Sequence, residues 1–301
     1  MKLIIKKGRC ILNLLRIISK ILCDKHLERG EKIDFVRSYF KILKYKEKIE
    51  SNEIKIKVFG YAISFPPFYP IFGQMREIFM NRVYFFKTER SNPLILDVGS
   101  NIGLTVLFFK KFYPDSLVYA FEPDPDNFKY LEKNVKQNKI KNIVLFNYGL
   151  SNFEGKTKFY CPKTVTKEYS SSIRGSVFDN TSFISKEETI EKIVEIKKLS
   201  NLIKENKMEI IDLLKLDVEG SEWAIMGDIS PFLGNISNVF MEYHYDDKMI
   251  EENPLSKIIH EFEKKKFFYS IYGSSIEGAR KTNEIGTGFY CFKLFFKNPY
   301  I

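Results

Sequence analysis

Two consecutive apolar runs of this chain each end in an acidic residue, and this pattern limits the possible folds more than any other feature. The first run leads through Asp97 into a turn spaced by Gly99 and Gly103. The second run, residues 118–123, carries Glu122 at its end. Ligands of open α/β sheets bind outside the carboxyl ends of parallel strands, where such loops gather. The pair therefore predicts two buried parallel strands that border a site for a nucleotide-type cofactor.

Strand-like and helix-like segments alternate from residue 94 onward, which is typical of a parallel sheet with helices on both faces. Strands are predicted at residues 94–98, 117–122, 143–147, 211–217, 237–243, 267–272 and 288–296. Helices are predicted at residues 103–112, 125–138, 199–207, 221–232 and 254–266. The last two strands flank a loop without a long helix, so we expect an antiparallel hairpin at the end of a seven-stranded, mostly parallel sheet.

The chain is expected to have three parts. They are a basic helical N-terminal extension at residues 1–53, a hairpin and lead-in segment at 54–90, and a cofactor-binding domain at 91–301. The hairpin turns at Gly60, and the lead-in segment is predicted to be helical over 74–86. Residues 161–190 are rich in Ser and Thr and lack periodicity, which fits either a lid or substrate loop, or a surface insertion.

The positive charge is concentrated in the N-terminal third. Residues 1–90 contain 20 Lys and Arg against 9 Asp and Glu, a net +11, and the remainder contains 28 against 29, a net −1. This argues against a nucleic-acid groove across the cofactor domain, so no nucleic-acid partner is expected. Residues 1–25 alternate apolar and basic residues. They fit either a helix on an anionic membrane surface, or a helix packed on its own domain or on a partner.

The compartment is expected to be reducing and cytoplasmic, with peripheral membrane contact left as an alternative. The four cysteines, at positions 10, 23, 161 and 291, have no metal-ligand spacing and are too few for a disulfide scaffold. The chain contains no run of 18 apolar residues and no cleavable leader pattern, so no transmembrane helix or secretory signal is expected. The sequence does not indicate an oligomeric state.

The first loop indicates a cationic ligand. A dinucleotide fold would need Gly-x-Gly-x-x-Gly here, whereas this loop has Gly99, Asn101 and Gly103. The carboxylate of Asp97 would repel a pyrophosphate but suits the sulfonium and ammonium groups of S-adenosylmethionine. We therefore predict that these four residues bind that cofactor, the alternative being an ordinary strand–turn–helix corner.

The next two strand ends are predicted to complete the cofactor site. Glu122 can accept two hydrogen bonds from a ribose diol, as acids at this position do in nucleotide-binding folds. Asn147 and Tyr148 follow the third strand and are placed beside the adenine base. A solvated acid at the strand end is the alternative for Glu122.

An acidic cluster follows the fourth predicted strand. Asp217 and Glu219 lie two residues apart, so both can face one cleft. Buried acids are costly unless they are paired or functional. The alternative is that Ser221 and Glu222 merely cap the next helix, which accounts for Glu222 but not for Asp217.

The fifth predicted strand ends in Glu242 and His244. A histidine titrates near neutral pH, so His244 is a candidate for accepting a hydroxyl proton, although a lone histidine can also be structural. We name His244 or Asp217 as the base, with Glu219 or Glu242 orienting it. Asp217, Glu242 and His244 could also form a metal site, but neither spacing nor composition demands one, so no metal is predicted.

Four motifs together resemble the FkbM-type S-adenosylmethionine-dependent methyltransferases. They are Asp97-Val98-Gly99-Ser100-Asn101-Ile102-Gly103, Phe121-Glu122-Pro123, Leu214-Lys215-Leu216-Asp217-Val218-Glu219-Gly220-Ser221-Glu222 and Glu242-Tyr243-His244. The resemblance covers about residues 54–296. It implies a Rossmann-like class I methyltransferase fold and transfer of a methyl group to a hydroxyl on a sugar, glycan or polyketide-type molecule.

The resemblance also implies where ligands bind. Asp97, Gly99, Asn101 and Gly103 would line the methionine and ribose side, and Glu122 would bind the ribose hydroxyls. The segment from Asp217 to Glu222 would lie between cofactor and acceptor. Two other functions stay open: a catalytically silent scaffold or membrane-associated protein with a methyltransferase-like domain, and a nicotinamide-dependent oxidoreductase.

Overall fold

A computed structural model describes residues 18–19, 21–23, 28–45, 53–67, 69–162, 189–245, 251–273 and 290–301. The chain divides into two compact units, Met1–Val83 and Tyr84–Ile301. Within the described residues, no helix is both long enough and apolar enough to cross a membrane. Most of the amphipathic segment predicted at residues 1–25 lies outside the described part.

The first unit combines helices with a β-hairpin. Its elements are α1 (Arg29–Tyr45), β1 (Ile54–Val58), β2 (Tyr61–Phe65), α2 (Ile71–Met75) and a π-helical turn (Arg76–Met80). Phe59 and Gly60 both have positive φ, 53° and 84°, as a tight two-residue hairpin turn requires. The Phe59 ring stacks on Phe79 at 4.6 Å between centroids and lies 4.6 Å from Phe35. The predicted hairpin is therefore confirmed.

The lead-in helix lies earlier than predicted. Helical structure begins directly after Pro70 and ends at Met80, so the expectation of a helix over 74–86 is wrong at both ends. A proline is tolerated at the start of a helix because no N–H is needed there. Arg82 adopts a φ of 52°, which a right-handed helix cannot continue through.

The second unit contains the predicted seven-stranded sheet. Its strands are β3 (Leu94–Val98), β4 (Leu117–Phe121), β5 (Ile143–Phe146), β9 (Leu213–Asp217), β10 (Asn238–Tyr245), β11 (Phe268–Gly273) and β12 (Tyr290–Lys297). The spatial order is β11-β12-β10-β9-β3-β4-β5. β3, β4, β5, β9 and β10 run parallel, and β12 lies antiparallel to both β10 and β11. The Rossmann-like fold class, including the terminal antiparallel pair, is confirmed.

Helices flank the sheet where periodicity predicts them. They are α3 (Leu104–Phe112), α4 (Pro125–Gln137), α5 (Leu199–Glu205), α6 (Glu222–Ile229) and α7 (Leu255–Lys264). At the start of α4, the Asp124 side chain accepts the Asp126 N–H at 3.0 Å and Pro125 occupies the first helical position. On α7, Ile258 and Phe262 are fully buried, and the Phe262 ring stacks on Phe296 of the sheet.

A second, three-stranded sheet was not predicted. β8 (Thr189–Lys197) pairs antiparallel with β7 (Gly155–Pro162) and parallel with β6 (Gly149–Leu150). Both longer strands extend into the ends of the predicted 161–190 loop, and residues 163–188 lie outside the described part. Alternation of exposed and buried residues along β8 is broken by charged side chains, which hides the strand signal in the sequence.

Candidate functional site

A cleft of about 690 Å³, part of it open to solvent, lies at the carboxyl ends of the central strands. It is lined by Val98, Gly99, Asn101, Phe121, Glu122, Pro123, Asn127, Gly149, Leu150, Phe159, Ile196, Asp217, Val218, Glu219 and Ser221. The cleft therefore includes the ends of β3, β4 and β9 and one side of the three-stranded sheet.

The loop after β3 lies so close to β9 at Gly99 that no side chain fits there. Gly99 has a φ of 81°, and a Cβ on it would lie 1.9 Å from the Asp217 carbonyl oxygen. The backbone N–H groups of Gly99 and Ser100 both donate to the Phe121 carbonyl, at 3.0 and 2.9 Å. Asn101 also takes a positive φ, 50°. The loop is thus held against the ends of both adjacent strands, and it forms one wall of the cleft.

Asp97 is completely buried and is not among the residues that line the cleft. One of its oxygens accepts the Thr105 hydroxyl at 2.5 Å, and the other lies 3.2 Å from the Lys215 ammonium. Gly103, with a φ of 88°, begins α3 and also lies outside the lining. These two predicted cofactor residues thus lie next to the loop and outside the cleft lining. Their contact with a cofactor stays a prediction.

Lys215 is the main residue that the sequence analysis missed. It is 1% exposed, and its ammonium donates to the carbonyls of Gly99 at 2.7 Å and Val98 at 3.3 Å. Burial by itself lowers the pKa of this amine, but the Asp97 and Asp217 carboxylates outweigh it and raise the pKa. A buried lysine, whose charged form is favoured by two carboxylates, therefore fastens the end of β3 to β9. In the sequence, a lysine inside an apolar run was the available sign of a buried charge that needs a partner.

Glu122 lies at the predicted place, and its carboxylate is already bound to the backbone. It accepts the N–H of Asn101 at 2.8 Å and of Asp124 at 2.9 Å. Burial raises the pKa of Glu122 to about 8, against the opposing effect of these hydrogen bonds. The carboxyl group thus joins the ends of β3 and β4 and also faces the cleft.

The buried state of Glu122 gives a testable pH dependence. Because the folded-state pKa is raised above the ordinary value of 4.5, the wild type is expected to lose stability as pH rises from 4.5 towards 8. A non-titrating Glu122→Gln variant should gain relative stability over this range, by at most about 1.4 kcal/mol per pH unit. Urea unfolding at several pH values measures this. Glu132→Gln, an exposed substitution, is the control, and parallel pH curves for Glu122→Gln and wild type would contradict the account.

Asn147 and Tyr148 lie next to the cleft rather than in its lining. The Asn147 amide donates to the Glu122 carbonyl at 2.9 Å and so fixes the end of β4. The Tyr148 ring packs 5.8 Å from Phe121 and lies under the Lys197 ammonium at 4.8 Å. A direct contact of either residue with the adenine base stays a prediction.

The predicted acids and histidine do come together beyond β9 and β10. His244 is fully buried, with Nε2 3.3 Å from Glu219 and 3.9 Å from Glu242. Its other ring nitrogen, Nδ1, lies 3.1 Å from Glu222. Burial by itself lowers the pKa of His244, but Glu219 and the other neighbours outweigh it and raise the pKa well above 6.5. Asp217 and Glu219 line the cleft, and His244 lies behind them.

The structure adds Glu222 and Asn253 to this cluster. The Asn253 amide donates to Glu222 at 2.6 Å and to the His244 carbonyl at 3.1 Å. The side-chain oxygen of Asn253, Oδ1, accepts the backbone N–H of Trp223 at 2.9 Å. Glu222 is thus a buried partner of His244, and Ser221 makes no side-chain cap at α6. The capping alternative fails for Ser221 and is incomplete for Glu222, which accepts the Gly220 N–H at 3.2 Å but also binds His244 and Asn253.

Comparison with known proteins gives concordant matches. The family model described as "Methyltransferase FkbM domain" matches residues 97–268. Methyltransferase sdnD of Sordaria araneosa is 32% identical over an alignment of 173 residues, and the match covers 50% of this chain and 66% of that protein. Methyltransferase 1 of Beauveria bassiana is 30% identical over an alignment of 160 residues, and the match covers 50% of this chain and 64% of that protein. The matched region thus spans slightly less than two thirds of either relative.

A further relative carries a more specific name. The 2-O-methyltransferase NoeI of Sinorhizobium fredii is 24% identical over 175 residues, which cover 57% of this chain and 71% of that protein. These three alignments cover 50–57% of this chain, and the matched family domain covers a little more than half of it.

Proposed function

The chain belongs to the FkbM methyltransferase family, whose cofactor is S-adenosylmethionine, and from this premise we propose that it methylates a hydroxyl group of a sugar, glycan or related metabolite. The name of the relative NoeI, a 2-O-methyltransferase, supports oxygen as the acceptor atom. In this proposal the acceptor is a small molecule or glycan and not a nucleic acid.

The observation that carries the proposal is the composition of the cleft wall. The carboxylates of Asp217 and Glu219 line one cleft around the Gly99 loop, beside the Glu122 carboxyl group. A wall with this charge favours a ligand bearing a sulfonium and an ammonium over one bearing a pyrophosphate. This also disfavours the nicotinamide-dependent alternative.

The reaction needs an aligned acceptor and a proton acceptor. Bound in this cleft, S-adenosylmethionine would supply an activated methyl group to the acceptor oxygen, with S-adenosylhomocysteine as the second product. The hydroxyl proton then passes to a carboxylate of the cleft wall, Asp217 or Glu219. His244 is fully buried behind Glu219, so in this proposal it holds that carboxylate in place and does not touch the acceptor.

Removing either cleft-wall carboxylate should therefore affect turnover more than cofactor binding. Asp217→Asn or Glu219→Gln is expected to lower turnover by about 10²–10⁴-fold for the residue that accepts the proton. S-adenosylmethionine affinity, measured by calorimetry, should change only a few-fold. Glu205→Gln, at an exposed position, is the matched control. Wild-type turnover in both site variants would remove the two carboxylates from the mechanism.

The experiment that tests the proposed function is transfer of a labelled methyl group. Full-length protein is incubated with labelled S-adenosylmethionine and with separated glycans, lipids and small molecules from cells. Label in a glycan or sugar fraction, stable to conditions that hydrolyse methyl esters, is the expected result. Cofactor binding without transfer to any fraction would favour the catalytically silent alternative.

A further inference from the structure

We propose that the chain binds a divalent transition-metal ion of the zinc type through Glu242, His244 and Cys291. These residues lie on the adjacent strands β10 and β12, beside the cleft but outside its lining. The inference departs from the sequence-based expectation of no metal, because the cysteine lies 47 positions after the histidine and its proximity is visible only in the fold.

The strand register brings the three donors to one face of the sheet. His244 is the direct cross-strand partner of Cys291, and Glu242 lies two residues before His244 on the same strand. The Cys291 sulfur is 3.0 Å from Glu242 Oε1, which is 3.9 Å from His244 Nε2. All three donor atoms lie within 4.8 Å of one another. Ligands of a tetrahedral zinc ion are separated by about 3.3–3.6 Å, so only small side-chain movements are needed.

The chemistry of the donors selects the ion. One nitrogen, one carboxylate oxygen and one sulfur form a mixed set that suits zinc and similar transition metals, whereas magnesium and calcium prefer oxygen alone. Cys291 and His244 are both buried, so a bound ion would be shielded from water on the strand side.

The second nitrogen of His244 supports the same assignment. Nδ1 faces the Glu222 carboxylate at 3.1 Å, and Asn253 in turn fixes that carboxylate at 2.6 Å. Metal-binding histidines typically contact a carboxylate through their second nitrogen, which fixes the tautomer and directs the first nitrogen to the metal. Here Nε2 is the nitrogen directed at Glu242 and Glu219.

The fourth coordination position of the ion would face the cleft. Glu219 Oε2 is 3.3 Å from His244 Nε2, and Glu219 lines the cleft wall.

Metal binding forms coordinate bonds from the ion to sulfur, nitrogen and oxygen. The thiol proton of Cys291 and the proton on His244 Nε2 pass to solvent. Without a metal, the same residues form a hydrogen-bonded acid–imidazole cluster, and the experiment distinguishes the two states.

Cobalt(II) titration of chelator-treated full-length protein tests the site. A thiolate–cobalt charge-transfer band in the near ultraviolet should appear and saturate at one ion per chain. Zinc should then displace the cobalt and remove the band. Cys291→Ser should lose the band, and His244→Ala should bind cobalt at least about tenfold more weakly.

The matched control is Cys161→Ser, which alters another buried cysteine beside a carboxylate, Asp124. This variant should keep the full band. No band in the wild type, or a band that survives Cys291→Ser, overturns the inference. Thermal melting without metal separates misfolding from loss of a ligand. Because no methyl donor is present, and S-adenosylmethionine binding is measured separately on the metal-free protein, failure here is distinct from failure of the proposed function.

Discussion

Replacing Gly99 with alanine is expected to abolish measurable S-adenosylmethionine binding and to destabilise the second unit by about 2–5 kcal/mol. The new Cβ would lie 1.9 Å from the Asp217 carbonyl oxygen, and this atom belongs to backbone that cannot rotate away. The residue would also retain a φ of 81°, which disfavours any side chain. The ends of β3 and β9 would therefore have to separate. Because both strand ends form part of the cleft wall, the cofactor site would be distorted.

Gly60→Ala isolates the effect of the clash. Gly60 has a similar φ, 84°, but a Cβ there meets nothing within 4 Å. Only the cost of the backbone conformation, about 1–2 kcal/mol, is therefore expected, with cofactor affinity unchanged. Thermal melting and calorimetry compare the two variants. Equal melting temperatures and equal affinities in both would show that the close approach of Gly99 to β9 is not a real constraint.

Replacing Lys215 with methionine should have the second large effect. Methionine fills a similar volume but leaves the fully buried Asp97 carboxylate without its cation. Breaking a buried ion pair by removing one partner typically costs about 3–5 kcal/mol. The loop carbonyl of Gly99 also loses its donor, so cofactor affinity should fall with stability. Chemical unfolding measures the first effect and calorimetry the second.

Two comparisons make this prediction specific. Lys110→Met removes another buried ammonium, which donates to the carbonyls of Ser116 and Asn142. The carboxylate that acts on this ammonium, Asp115, is exposed to solvent, so the cost should be smaller. Adding Asp97→Asn to Lys215→Met should recover part of the lost stability, because the unpaired charge is removed. A double variant no more stable than the single one would contradict the ion-pair explanation.

The main sheet could be predicted because each of its strands is an apolar run bounded by turn residues. β3 is a clear example, since Leu94–Val98 is followed by Gly99 and the strand ends as the sequence indicates. The antiparallel insertion of β12 between β10 and β11 could be predicted only as a pairing, because strand order depends on contacts distant in sequence.

The three-stranded sheet could not be predicted in the same way. β8 carries Glu191, Lys192 and Glu195 within nine residues, so its pattern resembles a solvated segment. The fold explains one of these charges, since Lys192 binds Asp124 at 2.6 Å and Asp126 at 2.9 Å. Pairing partners that belong to other elements are not visible in local periodicity.

The site residues that follow the ends of strands could be predicted, whereas the buried residues next to them could not. Gly99, Asn101 and Glu122 line the cleft as expected, since parallel strands place their carboxyl ends together. Lys215 and Cys291 were missed because their importance comes from neighbouring strands. Each faces a carboxylate on another part of the sheet, Asp97 for the lysine and Glu242 for the cysteine.

Calorimetric titration of the full-length protein with S-adenosylmethionine tests the central claim most directly. The account predicts saturable binding of one cofactor per chain, with binding lost in Gly99→Ala and retained in Gly60→Ala. Heats no larger than dilution for the wild type, or tighter binding of a nicotinamide dinucleotide than of S-adenosylmethionine, would contradict it.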